Sequence, residues 1–239
     1  MGVEQTGYER QPVGGAPGGR SEVDPAVALR LQILSTEHWS LLATRSLTYT
    51  ESFSRVSMFF SVLSGAVISL ALIAQAGRFG ETFIVAAILV LSIVIFVGVA
   101  TISRLMKVNG DDLHWVAGMN RLRHAYLEMH PELEQYFVAG WSDDPRGIAM
   151  TMGLEQLPSR SMLINIGHGF QTLPGMLSVI VAVVAGALGA LVTMATGAPQ
   201  SVAIAIGAIA FLLVTAGLVV YGLRSIRRYT NALTPRFPS

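Results

Sequence analysis

The chain has 239 residues, of which 52% are apolar and only 13% are charged, and its formal net charge is +1. Soluble domains carry about 25% charged residues. The composition therefore favours an integral membrane protein, and the near-zero charge excludes a general attraction for nucleic acid. The absence of cysteine excludes disulfides, thiolate metal sites and cysteine nucleophiles.

The N-terminal 21 residues combine many Gly and Pro residues with polar ones and contain no apolar signal-peptide segment. This composition predicts a disordered tail over residues 1–21. Asp24-Pro25 then has the sequence of an N-cap followed by proline at the first helical position, and a helical apolar period continues through Leu41. We therefore predict a cytoplasmic helix over residues 22–55 that either continues into a membrane span or breaks near Ser35-Thr36.

Four uncharged, apolar stretches are each about 20 residues long, which is enough for a helix to cross the roughly 30 Å hydrocarbon layer of a bilayer. They are Val56–Ala76, Thr82–Ile102, Met176–Ala195 and Val202–Tyr221. Short turns join the first to the second and the third to the fourth, which predicts antiparallel neighbours. The predicted fold class is an all-α membrane protein with two transmembrane helical hairpins, residues 56–102 and 175–223, and a helical cytoplasmic domain, residues 103–174.

Basic residues indicate the orientation of these spans, because Lys and Arg accumulate on the cytoplasmic side. All 16 Lys and Arg residues except Arg78 lie in the N-terminal segment, the central region or the C-terminal tail. We therefore predict a multi-pass protein of the cell (plasma or inner) membrane with both termini and the central region in the cytoplasm. The basic tail, residues 224–239, would rest at the anionic inner leaflet.

Small residues at four-residue spacing predict where helices approach one another closely in lipid. They occur in the first span (Ser61, Gly65, Ser69), the third (Ala182, Gly186, Ala190) and the fourth (Ala203, Gly207). We expect these three spans to make the tight contacts, within the chain or between subunits. The second span is bulkier, and we expect it to face more lipid.

The four spans contain no Asp, Glu, Lys, Arg or His, which argues against a proton-coupled or sodium-coupled transporter. An oligomeric pore is the alternative interpretation, and its lining would consist of Ser57, Ser61, Ser64 and Gln75. The favoured interpretation is that these hydroxyls bond to carbonyls of their own helix.

The central region is predicted to contain a helix that begins at Asp111 or Asp112, after Asn109-Gly110, and ends near Met129. Its apolar stripe is expected to pack against the 22–55 helix or to bind a partner. The stripe consists of Trp115, Met119, Leu122, Tyr126 and Met129.

Prolines mark the later elements of the chain. Pro131 is expected to start a short helix or turn, Asp144-Pro145 a helix to about Leu154, and Thr172 with Pro174 the third span. An amphipathic piece, Met162–Phe170, is expected at the membrane interface. The three tryptophans, Trp39, Trp115 and Trp141, suggest a core in the cytoplasmic part.

Groups with catalytic or metal-binding chemistry are sparse. His114 and Asp111 could combine for zinc or general-base chemistry, but the sequence has no HExxH motif, phosphate-binding glycine loop or GxSxG elbow. Arg121 and Arg123 could bind an anion, but we interpret them as a solvated helix face. The sequence therefore predicts neither an enzyme nor a cofactor or metal site.

Two segments, Thr36–Leu47 and Met119–Tyr126, resemble those of uncharacterised integral membrane proteins from high-GC actinobacteria. The resemblance covers most of the chain beyond the N-terminal tail. It implies a bacterial four-span membrane protein and brings no activity or functional residues with it. A long helix leading into Leu63-Ser64-Gly65 is also similar to two-span effector domains that pair with nucleotide-signalling proteins, although this chain has four spans and no sensor domain.

Together these features predict a non-enzymatic membrane protein that forms an oligomeric assembly or binds a partner. The expected partners are the lipid bilayer and either further copies or another membrane protein, and not nucleic acid. The alternatives are an oligomeric channel or pore-forming effector, and a membrane enzyme that uses His and Asp residues of the central region.

Overall fold

A computed structural model describes residues 24–77, 79–153 and 172–239, and this part of the chain contains helices and no strand. The elements are α1 (Pro25–Gly77), α2 (Glu81–Met129), a 3-10 helix (Pro131–Tyr136), α3 (Pro145–Thr151), α4 (Leu173–Ala195) and α5 (Gln200–Ala232). Helices α1, α2, α4 and α5 are each long and apolar enough to cross a membrane. The described part of the chain is thus all-helical, and its four candidate spans suggest a multi-pass membrane protein. The predicted tail, residues 1–21, and the predicted amphipathic piece, Met162–Phe170, lie outside the described residues.

Helix α1 is unbroken over its 53 residues, so the first helix continues directly into the first apolar stretch. Its start is the predicted one, since the Asp24 carboxylate accepts a hydrogen bond from the Ala26 N–H at 2.9 Å. No proline or glycine interrupts the sequence between Pro25 and Gly65. At 1.5 Å per residue the helix is about 80 Å long, which greatly exceeds the thickness of a bilayer.

The prediction that a new helix begins at Asp111 or Asp112 is wrong, because α2 passes through Asn109-Gly110 without a break. A glycine costs a helix about 1 kcal/mol relative to alanine. Here it permits close packing, since a Cβ atom on Gly110 would collide with the ring of Tyr229 in α5. Asp112 is not a cap either: its carboxylate is buried against α1.

The other predicted helix starts are confirmed. The Asp144 side chain accepts from the Gly147 N–H at 2.8 Å and begins α3, which ends at Thr151. The Thr172 hydroxyl accepts from the Gly175 N–H at 3.3 Å and begins α4. Pro131 begins the 3-10 helix.

Helix α2 is the centre of the fold. It packs against α1, α4 and α5, and α4 in turn packs along α5. The expectation that the second span faces more lipid than the other three is therefore wrong. Its one glycine, Gly98, lies where α1 and α4 meet α2, and a Cβ there would collide with Val181 and press on Phe59. The apolar core around this crossing consists of Val56, Phe59, Ala66, Val94, Ile102, Leu105, Leu177, Val181 and Val184.

Candidate interaction surfaces

The small residues of the third and fourth spans lie against one another, between α4 and α5. A Cβ on Gly186 would lie 2.9 Å from the Gly207 carbonyl oxygen, and a Cβ on Gly207 would lie 3.0 Å from the Ala190 Cβ. Ala182 and Ala203 are also buried. These residues let two backbones approach closely within one chain, so within the described residues they already have partners.

The small residues of the first span point away from the rest of the described chain. Ser61, Gly65 and Ser69 are all exposed, and a Cβ on Gly65 would have no atom within 4 Å. The Ser61 hydroxyl donates to the Ser57 carbonyl at 3.0 Å, which is the bonding to its own helix that we favoured for Ser61. Of the residues considered as a pore lining, Ser57, Ser64 and Gln75 are exposed as well.

Three of these exposed residues, Ser57, Ser61 and Ser64, belong to a longer row, which we call the bare seam. It follows alternating four- and three-residue steps along α1, the spacing of helices that supercoil around each other. Every member is exposed and uncharged, and most are small or carry a hydroxyl. The bare seam consists of Thr36, Ser40, Ala43, Leu47, Thr50, Ser54, Ser57, Ser61, Ser64 and Ile68.

Sequence reasoning missed the N-terminal half of the bare seam. The heptad-like spacing from Thr36 onward is readable in the sequence, but hydroxyl residues do not register in a search for apolar periodicity. Only the structure shows that α2 leaves this face of α1 uncovered.

Large apolar side chains are exposed on the bare seam and beside it, in the part of α1 that lies beyond the apolar span. Leu47 is 70% exposed and Trp39 is 69% exposed, and Ile33 and Phe53 are exposed to a similar degree. The interpretation of Trp39 as a core residue is therefore wrong. Trp115 and Trp141 are partly buried. Exposed apolar side chains of this kind, outside an apolar span, are typical of surfaces that bind a partner.

The opposite face of α1 packs on α2, and we call it the covered seam. Its members are Leu41, Arg45, Thr48, Ser52, Val56, Phe59, Leu63 and Ala66, all buried or partly buried. Leu41 lies against Gly118, and the rings of His38 and Tyr126 stack with centroids 6.0 Å apart. Of the predicted stripe on α2, Met119 is buried, and Trp115, Leu122, Tyr126 and Met129 are partly buried.

Ion pairs join the two helices along the covered seam. The Arg45 guanidinium donates to both carboxylate oxygens of Asp112, at 2.7 and 3.2 Å, and also to the Tyr49 hydroxyl. Nearer the apolar spans, Glu51 accepts from Arg104 at 2.9 and 3.0 Å and from Arg55 at 2.8 Å. Hydrogen bonds from Arg104 and then from Arg55 lower the pKa of Glu51 to about 2. These pairs fix the register of α1 on α2.

The interpretation of Arg121 and Arg123 as a solvated face is wrong. Arg123 is partly buried and donates to the Asn120 side-chain oxygen at 2.7 Å. Asn120 is fully buried, donates to the Ser142 carbonyl at 2.7 Å, and accepts from Thr151 at 2.8 Å. These bonds tie α2 to the loop before α3 and to the end of α3.

Arg121 takes part in a second polar cluster, where the C-terminal segment 234–239 returns to α2. Its guanidinium donates to Asp143 at 2.6 Å and to the Thr234 carbonyl at 3.1 Å. Asp143 has no exposed side-chain surface. Burial by itself would raise its pKa, but hydrogen bonds, first from the Arg236 N–H and then from Arg121, lower that pKa below its usual range. Asp143 is therefore an anion at neutral pH.

The groups considered for a metal site are not clustered within the described residues. His114 is exposed, and within residues 24–77, 79–153 and 172–239 no three His, Asp or Glu side chains are grouped so that they could hold a metal ion.

The chain matches no protein-family model, curated protein or solved structure.

Proposed function

We propose that this chain is a membrane scaffold whose copies assemble through the bare seam of α1, with no catalysis of its own. In this proposal the spans form two hairpins, α1 with α2 and α4 with α5. Both chain ends and the region between the hairpins face the cytoplasm. There the parts of α1 and α2 beyond the apolar stretches, residues 25–55 and 103–129, form what we call the stalk. The observation that carries the proposal is the bare seam itself.

The arrangement of charge supports this orientation. The ion pairs of Arg45, Glu51 and Arg121 all lie beyond the same ends of the apolar spans, in α1, α2 and the C-terminal segment. Basic residues concentrate on the cytoplasmic side of a membrane. Apart from Arg78, no Lys or Arg lies at the opposite ends of the spans.

A second copy is the partner that best fits the bare seam. Copies in one membrane share an orientation, so their α1 helices would meet as parallel neighbours with like residues opposed. Charged residues there would repel one another, and the bare seam has none between Thr36 and Ile68. Ser, Thr and Ala allow the close backbone approach that drives association in lipid. In the stalk, Leu47 and its apolar neighbours would be removed from contact with water when two copies associate, which favours association.

The proposal is tested by the mass of the protein in nanodiscs, for the parent and for Leu47→Glu. We expect an oligomer for the parent. For Leu47→Glu we expect association weaker by about tenfold or more, because equivalent carboxylates would face each other in a desolvated contact. Val138→Glu is the matched control, since Val138 is 92% exposed and lies off α1. It should leave the mass unchanged. A monomeric parent, or equal effects of both variants, would falsify self-association through this face.

A pore is the second candidate, because three hydroxyl residues of the bare seam follow one another along the apolar part of α1. Ser57, Ser61 and Ser64 are all exposed on one face. In a ring of copies with α1 at the centre, this face would provide a polar lining. Single-channel recording in planar bilayers separates the candidates. A conductance changed by Ser61→Leu favours the pore, and silence over a range of voltages and salts favours the scaffold.

A further inference from the structure

The C-terminal segment 234–239 contacts α2 and the loop before α3 through its backbone. The N–H groups of Arg236 and Phe237 both donate to the buried Asp143 carboxylate, at 2.8 to 3.0 Å. In return the Asp143 N–H donates to the Phe237 carbonyl at 3.3 Å. The Ser239 N–H and hydroxyl donate to Asp144, at 3.2 and 2.8 Å.

An aromatic side chain of the segment is held as well. The ring of Phe237 stacks on His124 with centroids 4.3 Å apart and an angle of 25° between the planes. The side chain of Arg236, in contrast, has no hydrogen bond or ion pair with a described residue and is exposed. Recognition thus uses mainly the main chain of the segment, together with the Ser239 hydroxyl and one aromatic ring, as in the binding of short extended peptides.

The receiving surface also has contacts of its own that do not involve the segment. Asp144 caps α3 through the Gly147 N–H, and Asp143 is held by Arg121 of α2. Asn120 binds the Ser142 carbonyl beside them. The carboxylates are therefore positioned by α2 and α3, and the segment supplies donors to acceptors that are already in place.

We propose that Arg121, His124, Asp143 and Asp144 form a peptide-binding site. Its ligand is an extended segment with consecutive free N–H groups and an aromatic residue, and in this chain it is filled by residues 234–239. The bound segment latches the end of α5 to α2 and α3. When it leaves, the site is open to the same type of segment from elsewhere.

The test uses the full chain and exploits its lack of cysteine. A nitroxide attached at Pro238→Cys reports the mobility of the segment by electron paramagnetic resonance. Arg236→Pro removes one of the two N–H groups that donate to Asp143. Arg236→Ala keeps that N–H and removes only an exposed side chain. We expect Arg236→Pro to reduce the immobilised fraction by about tenfold, because hydrogen bonds to a charged acceptor are strong. Arg236→Ala should leave that fraction unchanged.

A second measurement keeps the proposal testable if the spectra are complex. A fluorescent peptide with the sequence of residues 234–239 is titrated onto three unlabelled full-length proteins. It should bind the Arg236→Pro protein, whose own segment has been released, at least about tenfold more tightly than the parent. It should fail to bind Arg236→Pro carrying Asp143→Asn, because the amide would present its own N–H groups to Arg121. Equal mobility of the segment in Arg236→Pro and Arg236→Ala would overturn the proposal. Equal peptide affinity of Arg236→Pro with and without Asp143→Asn would also overturn it.

Discussion

The two faces of α1 follow the same helical spacing but carry different residues and have different surroundings. The covered seam combines large apolar side chains with the Arg45–Asp112 pair, and α2 buries it. The bare seam is made mostly of Ser, Thr and Ala, and no part of the described chain covers it. Large side chains and ion pairs suit one partner in one register. Small uncharged residues instead suit close contact with an identical helix. Under the proposed assembly, α1 would have one partner within the chain, α2, and a second copy of α1 outside it.

The largest expected effect is on folding, from removing the ring at the centre of the covered seam. Phe59 is fully buried and lies beside Gly98 and Val181. Phe59→Ala leaves a cavity and should lower the free energy of unfolding by about 3–5 kcal/mol. Thermal unfolding in detergent measures this. Ser57→Ala, two residues away on the bare seam, is the control and should change stability by less than about 0.5 kcal/mol. Similar losses for both would mean that the two faces do not differ.

The next effect concerns the ion pair in the stalk. Asp112→Ala leaves the Arg45 guanidinium partly buried, with only Tyr49 as a hydrogen-bond partner. Since Arg45 retains some exposure, we expect the free energy of unfolding to fall by about 3 kcal/mol, which is at the lower end of the range for a broken buried ion pair. Replacing both partners, Arg45→Met with Asp112→Leu, should recover most of the loss. A double variant as unstable as Asp112→Ala would argue against the pair as the cause.

A smaller effect is expected on acidification, through Glu51. Its folded pKa is about 2, below the ordinary value of 4.5. A carboxyl with a lowered folded pKa contributes its stability fully above the unfolded pKa, and this contribution is lost as pH falls through the folded pKa. Stability should therefore decline between about pH 4.5 and pH 2, and Glu51→Gln should reduce that slope. Unfolding curves at several pH values measure this, and an unchanged slope in Glu51→Gln would exclude Glu51 as the source.

Local signals in the sequence were sufficient for much of the fold. Four uncharged stretches identified the long apolar helices, and Asp24, Asp144 and Thr172 identified helix starts, because a cap acts within three residues. Asn109-Gly110 misled the prediction, since packing of Gly110 against Tyr229 outweighs the local cost of glycine. Tertiary contacts overrode the local preference at that point.

Long-range pairings were beyond the reach of the sequence. Asp143 and Arg236 are separated by 93 positions along the chain, and the sequence around either residue does not predict that they pair. The burial of Arg123 and the central place of α2 likewise depend on how the helices meet. The bare seam is an intermediate case: its spacing is present in the sequence, but its exposure is a property of the fold.

Cysteine cross-linking along α1 tests the central claim most directly, since the natural chain has no cysteine. Single cysteines at Ala43, Leu47, Thr50 and Ser54 of the bare seam are compared with single cysteines at Leu41, Thr48 and Ser52 of the covered seam, in native membranes under mild oxidation. A disulfide requires Cα atoms within about 7 Å. We predict disulfide-linked dimers at the positions of the bare seam and monomers at those of the covered seam. Dimers at neither set, or equally at both, would contradict assembly through α1.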